Sequence, residues 1–118
     1  MSLALRTALA YHESWKAGDL DRAMTYIAGD IVCDAPAGRL TGAGAYRDFL
    51  TPYLRMLKSV TLLAAFGDDE KALIMYDSAT TLVASAPGAE CVTVRDGTIV
   101  YSRFLFDRAP FIAARAAQ

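Results

Sequence analysis

Asp34 is the residue whose type and place most invite chemistry. It follows the apolar run Ile31 to Cys33 directly and stands two residues before Pro36, where a hairpin edge would favour Val or Thr. A carboxylate held on a strand inside an apolar cavity is pushed towards higher pKa by desolvation and can shuttle a proton alpha to a carbonyl. The rival reading is a turn, because Asp before Ala-Pro-Ala-Gly can bond its own downstream backbone. Asp77 is a second carboxylate candidate, sharing a strand face with Leu73 and Met75. A solvated or salt-bridged role is its ordinary reading. His12 is the only histidine. It could act alone as a base, but beside Glu13 on a helix flank it reads as a surface or rim residue. With no His/Cys/Asp cluster at ligand spacing, no metal site is expected. Ser14, Ser78 and Ser102 lack a GxSxG context and no glycine-rich phosphate loop is present, so hydrolase and nucleotide readings find no support.

The elements that must position these residues follow from periodicity. Leu3 to Ala17 carries Ala4, Ala8, Tyr11 and Trp15 at spacings of three and four, an amphipathic helix closed by Gly18. Asp19 caps a second helix with the stripe Leu20, Ala23, Met24 and Ile27, stopped by Gly29-Asp30. A strand over Ile31 to Asp34, turn residues through Gly38, a short return at Arg39 to Thr41 and a third helix from about Ala43 to Lys58 come next. Pro52 predicts a kink or break in that helix near Leu50. From Val60 the pattern changes to period two. Strands are expected over Val60 to Phe66, Lys71 to Val83, Ala89 to Arg95 and Thr98 to Phe106, with turns at residues 67–70, at Ala86-Pro87-Gly88 and at Asp96-Gly97. Asp107 to Gln118 forms a short last helix or a frayed tail.

Helices followed by a meander give an α+β fold, with a mostly antiparallel, curved sheet wrapped around the helices and an apolar cavity between them. A length of 118 residues supports one domain, residues 1–118. The net charge of −1 and scattered Arg and Lys leave no basic stripe, so nucleic acid is not an expected partner. No apolar run reaches membrane length, no signal peptide is apparent, and no membrane partner is expected. Cys33 and Cys91, each in an apolar run, read as buried free thiols, which suits a cytoplasmic location. Trp15, Tyr46, Phe49, Tyr53, Phe66 and Phe104 could line the cavity, with Asp77 at its wall; ordinary core packing is the alternative for the aromatic residues.

Three segments carry a family resemblance: Ala17-Gly18-Asp19 closing the first helix, Asp34-Ala-Pro-Ala-Gly followed by Thr41-Gly42 and a helix, and Val94-Arg-Asp-Gly-Thr-Ile99. With the order of elements, they resemble the nuclear-transport-factor-2-like superfamily, also described as cystatin-like, and its SnoaL-like branch. That resemblance implies a cone-shaped fold with a central apolar pocket and a homodimer formed through the sheet. Within it the chain looks most like ketosteroid isomerase. Tyr11, eight residues before Asp19, matches that family's helix tyrosine and would donate to a developing oxyanion. Asp34 matches its base, although Ala35 intervenes before Pro36. Glu90, counted back from Gly97, matches its third residue and shares a strand face with Val92 and Val94; it would donate only if protonated, which demands a dry site. The resemblance thus implies a cofactor-independent isomerase or polyketide-cyclase-like enzyme acting on a hydrophobic carbonyl compound. The same fold serves as a non-catalytic ligand-binding or dimerisation module. A weaker third reading, water activation as in limonene epoxide hydrolase, would draw on Arg39, Arg55 or Arg103.

Overall fold

The computed structural model describes all residues from Met1 to Gln118. Helix α1 (Leu3–Lys16) forms where the sequence pattern places it and buries Ala4, Ala8, Tyr11 and Trp15. Its first amides are not capped by Ser2. They are taken by a distant turn instead, Leu3 N–H donating to Asp69 Oδ1 (2.9 Å) and Ala4 N–H to the Asp68 carbonyl (3.1 Å). An acidic turn at the positive end of the helix also suits the helix dipole. Gly18 adopts φ +82°, the left-handed conformation that ends α1, and Asp19 accepts from Arg22 N–H at 3.0 Å to start α2 (Leu20–Met24).

Helix α2 is shorter than its apolar stripe suggests. Ile27 opens strand β1 (Ile27–Ala35), where it pairs with Ile99, and Gly29-Asp30 falls in an irregular stretch of that strand. A β-branched residue with a buried partner across the ladder gains more there than as the last residue of a helix. After β2 (Gly38–Thr41), α3 (Ala43–Met56) runs through Pro52 without the expected break. The carbonyl that loses its donor belongs to Asp48, an exposed residue, where water can take the place of the missing donor.

Strands β3 (Leu57–Gly67), β4 (Lys71–Thr80), β5 (Ala86–Arg95) and β6 (Thr98–Phe106) form the meander. The sheet order is β2-β1-β6-β5-β4-β3, antiparallel except for the β1–β6 pair. The β4–β5 turn sits earlier than expected. Thr80 Oγ1 accepts from Leu82 N–H (3.2 Å) and Val83 N–H (2.9 Å), closing the turn before Ala86-Pro87-Gly88, which joins β5. Pro87 is tolerated because pairing with β6 begins only at Gly88. Asp96 and Gly97, at φ 50° and 78°, make the tight hairpin. Helix α4 (Ala109–Ala116) completes the chain, with Asp107 Oδ1 accepting from Ala109 N–H at 2.9 Å and Phe111 buried.

Bulges in β3 and β6 curve the sheet. Its concave face packs on α1 and α3 around a core that includes Trp15, Tyr46, Ile74, Val92 and Ile99. Its convex face leaves Leu73, Met75 and Leu105 exposed. Cys91 belongs to that outer face, not to the core as expected, because it alternates with the inward Glu90 and Val92; Cys33 is buried.

Candidate functional site

A cavity of about 270 Å³ opens between α3, the ends of strands β4 to β6, and α4. Helix α3 contributes Phe49, Leu50, Tyr53 and Met56 to its wall. Tyr76, Ser78, Gly88, Phe104 and Phe106 come from the sheet, and Arg108, Phe111 and Arg115 from α4 and its cap. The wall is mostly apolar, so a ligand there is held chiefly by surface burial and oriented by few polar groups. Of the expected lining residues, Phe49, Tyr53 and Phe104 stand on this wall. Trp15 and Tyr46 do not. Trp15 lies behind it, edge-on to Tyr53 and Tyr76 with ring centres 5.8 and 5.2 Å away, and Tyr46 is wholly buried between Tyr11 and Phe104. Phe66 is 70% exposed and does not line this cavity. Asp77 points to the outer face and accepts from Ser85 Oγ at 3.0 Å.

Two hydrogen-bonded hydroxyl systems include residues of the cavity wall. Tyr53 donates to Ser78 Oγ (2.7 Å), which donates to the Ala86 carbonyl (3.2 Å), so both hydrogens are committed. Tyr76 donates to Glu90 Oε2 at 2.8 Å, while Tyr11 donates to Glu90 Oε1 at 3.2 Å and shares a hydrogen bond with Tyr46. Glu90, Tyr11 and Tyr46 have no exposed surface. Burial raises the Glu90 carboxyl from its ordinary 4.5 to about 7, against the opposing pull of the tyrosine hydroxyls. Desolvation, then the nearby Glu90 charge, holds Tyr11 and Tyr76 far above the phenol range, so these hydroxyls stay protonated. The structure therefore brings Tyr11 and Glu90 together and joins them to the cavity wall through Tyr76.

Asp34 is not part of this assembly. It lies on the convex face, where Arg39 clasps both carboxylate oxygens (2.8 and 3.0 Å), Tyr101 donates at 2.6 Å and Arg103 stands 3.5 Å away. The Arg39 bonds, followed by the Tyr101 bond, hold its carboxyl well below the usual carboxylate range, the opposite of what a base in a dry pocket needs. The cause is strand phase. Ile31 and Cys33 point inward, so Ala35, the residue directly before Pro36, shares their face and Asp34 takes the other. A single-residue offset in a strand inverts every side chain. Arg39 and Arg103, two of the arginines that epoxide-hydrolase-like water activation would draw on, belong to the same outer cluster. Arg55 is exposed and lines no part of the cavity.

His12 is not the surface or rim residue that the sequence suggests, and Tyr76 joins the site without having been singled out in the sequence. His12 is fully buried, flanked by Trp15 and Tyr76 rings at 4.7 and 5.3 Å, and neither ring nitrogen has a hydrogen-bond partner. Burial lowers its pKa. The signal was present, since His12 is one residue past Tyr11 and four past Ala8 on the buried strip. Tyr76 was visible as the residue alternating with the outward Met75 and Asp77. No group of three or more His, Cys, Asp and Glu side chains is arranged to hold a metal ion, and no helix is long and apolar enough to cross a membrane.

A cone of curved sheet around an apolar cavity is the nuclear-transport-factor-2-like, or cystatin-like, architecture. The family model for the SnoaL-like domain matches residues 8–102, and the chain belongs to that family. No curated protein matches it. Among solved structures, a protein from Kribbella flavida is 52% identical, with a TM-score of 0.97 over 99% of this chain and 97% of that one. A steroid delta-isomerase from Pseudomonas aeruginosa superposes with a TM-score of 0.78 at 16% identity, covering 99% and 88% of the two chains. A candidate polyketide cyclase from Xanthomonas campestris does so at 0.71 and 22% identity, covering 95% and 96%. At such identities the last two are likenesses of fold.

Proposed function

We propose that the protein binds a compact hydrophobic carbonyl compound in the cavity and polarises its carbonyl through Tyr76. The observation that carries this reading is the hydrogen bond from Tyr76, a residue of the cavity wall, to a buried acid titrating near neutrality. While Glu90 is ionised it captures the Tyr76 hydrogen. Once protonated, Glu90 can donate to a tyrosine oxygen instead, and the Tyr76 hydrogen is released for a ligand acceptor. The Tyr53 and Ser78 hydrogens are already spent on protein acceptors, which leaves Tyr76 as the group whose availability changes.

Turnover of the isomerase or cyclase type, by proton transfer through the Glu90 network without a cofactor, is the second reading. The closeness of the Glu90 pKa to 7 favours it, because an acid–base group works best near the ambient pH. Asp34 has no role in either reading. Calorimetric titration with a neutral aryl ketone such as propiophenone tests the first: affinity is expected to be higher at pH 5.5 than at pH 8.5, and Asp34→Asn to bind as the unaltered protein does. Equal ketone affinity at both values would rule out the Tyr76 switch.

We also infer that the chain pairs with a second copy through the convex face, where Leu73 and Met75 on β4 and Leu105 on β6 are exposed on either side of β5. Apolar patches of this kind mark association surfaces. Light scattering after size exclusion is expected to give twice the chain mass, and Leu73→Glu with Leu105→Glu to give the chain mass. A monomer without substitution would end this proposal.

A further inference from the structure

Helix α4 gives the cavity a charge that the rest of the molecule does not explain. Arg108, its N-cap, and Arg115, in its last turn, both line the cavity and stand seven residues apart, two turns along one helix face. The buried Phe111 and the exposed Ile112 lie between them, so the helix presents two cations flanking an apolar centre. Neither guanidinium enters any ion pair: those of the molecule join Asp34 to Arg39 and Arg103, and Asp21 to Arg47. No Asp or Glu stands on the cavity wall, and the neighbouring Asp107 accepts from the Ala109 N–H at 2.9 Å and forms no ion pair with either arginine. In a chain of net charge −1, two uncompensated arginines at one apolar cavity form a local anion site.

We propose that the ligand of the cavity is an oxo-carboxylic acid: an apolar body whose carbonyl meets Tyr76 and whose carboxylate is clasped by Arg108 and Arg115. The inference rests on the carbonyl-binding reading above and adds the anionic end. Guanidinium is suited to the task because its planar donors match both carboxylate oxygens and cannot be deprotonated. The arms of both side chains are long and exposed, so they can close over a ligand after it has entered. The alternative is that they only cover apolar surface with their methylene stems and hold no anion.

The probes are 4-oxo-4-phenylbutanoate, its methyl ester, and the neutral ketone propiophenone, titrated calorimetrically at pH 5.5 against the full chain. The acid is expected to bind about tenfold or more tightly than its ester, and the advantage to shrink with added salt. In Arg108→Gln/Arg115→Gln the ratio of acid to ester affinity is expected to fall to within about twofold, and Arg108→Lys/Arg115→Lys to retain part of the preference. Gln is a good helix former at these exposed positions, and circular dichroism of each variant verifies that α4 persists. Equal binding of acid and ester by the unaltered protein overturns the anion site while leaving the ketone pocket standing. A preference that survives in the double Gln variant overturns it too. Failure of all three probes to bind removes the anion site together with the carbonyl reading.

Discussion

Replacing Glu90 with Gln is expected to raise the melting temperature by about 10 °C at pH 8 and to leave it nearly unchanged near pH 4.5. Glu90 is wholly buried, and its carboxyl titrates at about 7 in the folded protein against 4.5 when exposed. A group raised on folding contributes fully below its unfolded value and loses that contribution as pH rises through its folded value. The loss therefore falls between pH 4.5 and about 7, and amounts to about 3 kcal/mol. Gln keeps the shape, accepts from one tyrosine and donates to another, and carries no charge to desolvate. Comparing the two proteins at each pH cancels other titrating groups. His12 is the relevant one, since its lowered pKa works in the opposite sense, costing stability as pH falls below 6.5. Thermal melts in steps from pH 4.5 to 8 decide the matter. A gap between the proteins that does not grow with pH would mean that Glu90 is not neutral in the fold.

Trp15→Ala is expected to cost about 3–5 kcal/mol, lowering the melting temperature by roughly 10–20 °C. Trp15 is 2% exposed and packs edge-on against His12, Tyr53 and Tyr76, so truncation opens a void where three aromatic edges meet. Two of those partners stand on the cavity wall. The loss should therefore extend beyond stability: with nothing behind Tyr53 and Tyr76, ketone affinity is expected to fall as well. Trp15→Phe, which retains a ring, should cost about a third as much. Denaturant melts of both variants, followed by circular dichroism because this is the only tryptophan, measure the difference. A loss under about 1 kcal/mol for the alanine variant would show that the cluster relaxes around the gap.

Much of this architecture was legible in the chain. The spacing of Ala4, Ala8, Tyr11 and Trp15 gave the buried face of α1, and Asp96-Gly97 gave the last hairpin, because both are local patterns with local causes. The shifted β4–β5 turn depends on a hydroxyl, Thr80 Oγ1, whose capture of two amides leaves no compositional mark. Pro52 was legible as a missing donor, but not the exposure of the carbonyl it abandons. For the site, alternation was the informative rule and also the trap. It carried Glu90 inward with Val92 and Val94, and read from Cys33 instead of from Pro36, it would have turned Asp34 outward. The isomerase-like resemblance hid that offset, since a spacer of one residue looks minor in a motif and reverses a strand. His12 reads as a rim residue because its type suggests solvent, whereas its position among Ala8, Tyr11 and Trp15 buries it.

In the proposed switch Glu90, through Tyr76, sets whether the cavity can hold a carbonyl. Its most direct test is the affinity of propiophenone for the unaltered protein and for Glu90→Gln, measured by calorimetry from pH 5.5 to 8.5. The unaltered protein is expected to lose about fivefold in affinity across that range, the worth of one hydrogen bond, with a midpoint near 7. Glu90→Gln should bind equally at every pH. An affinity that is flat in the unaltered protein, or that falls just as steeply in Glu90→Gln, would contradict the claim.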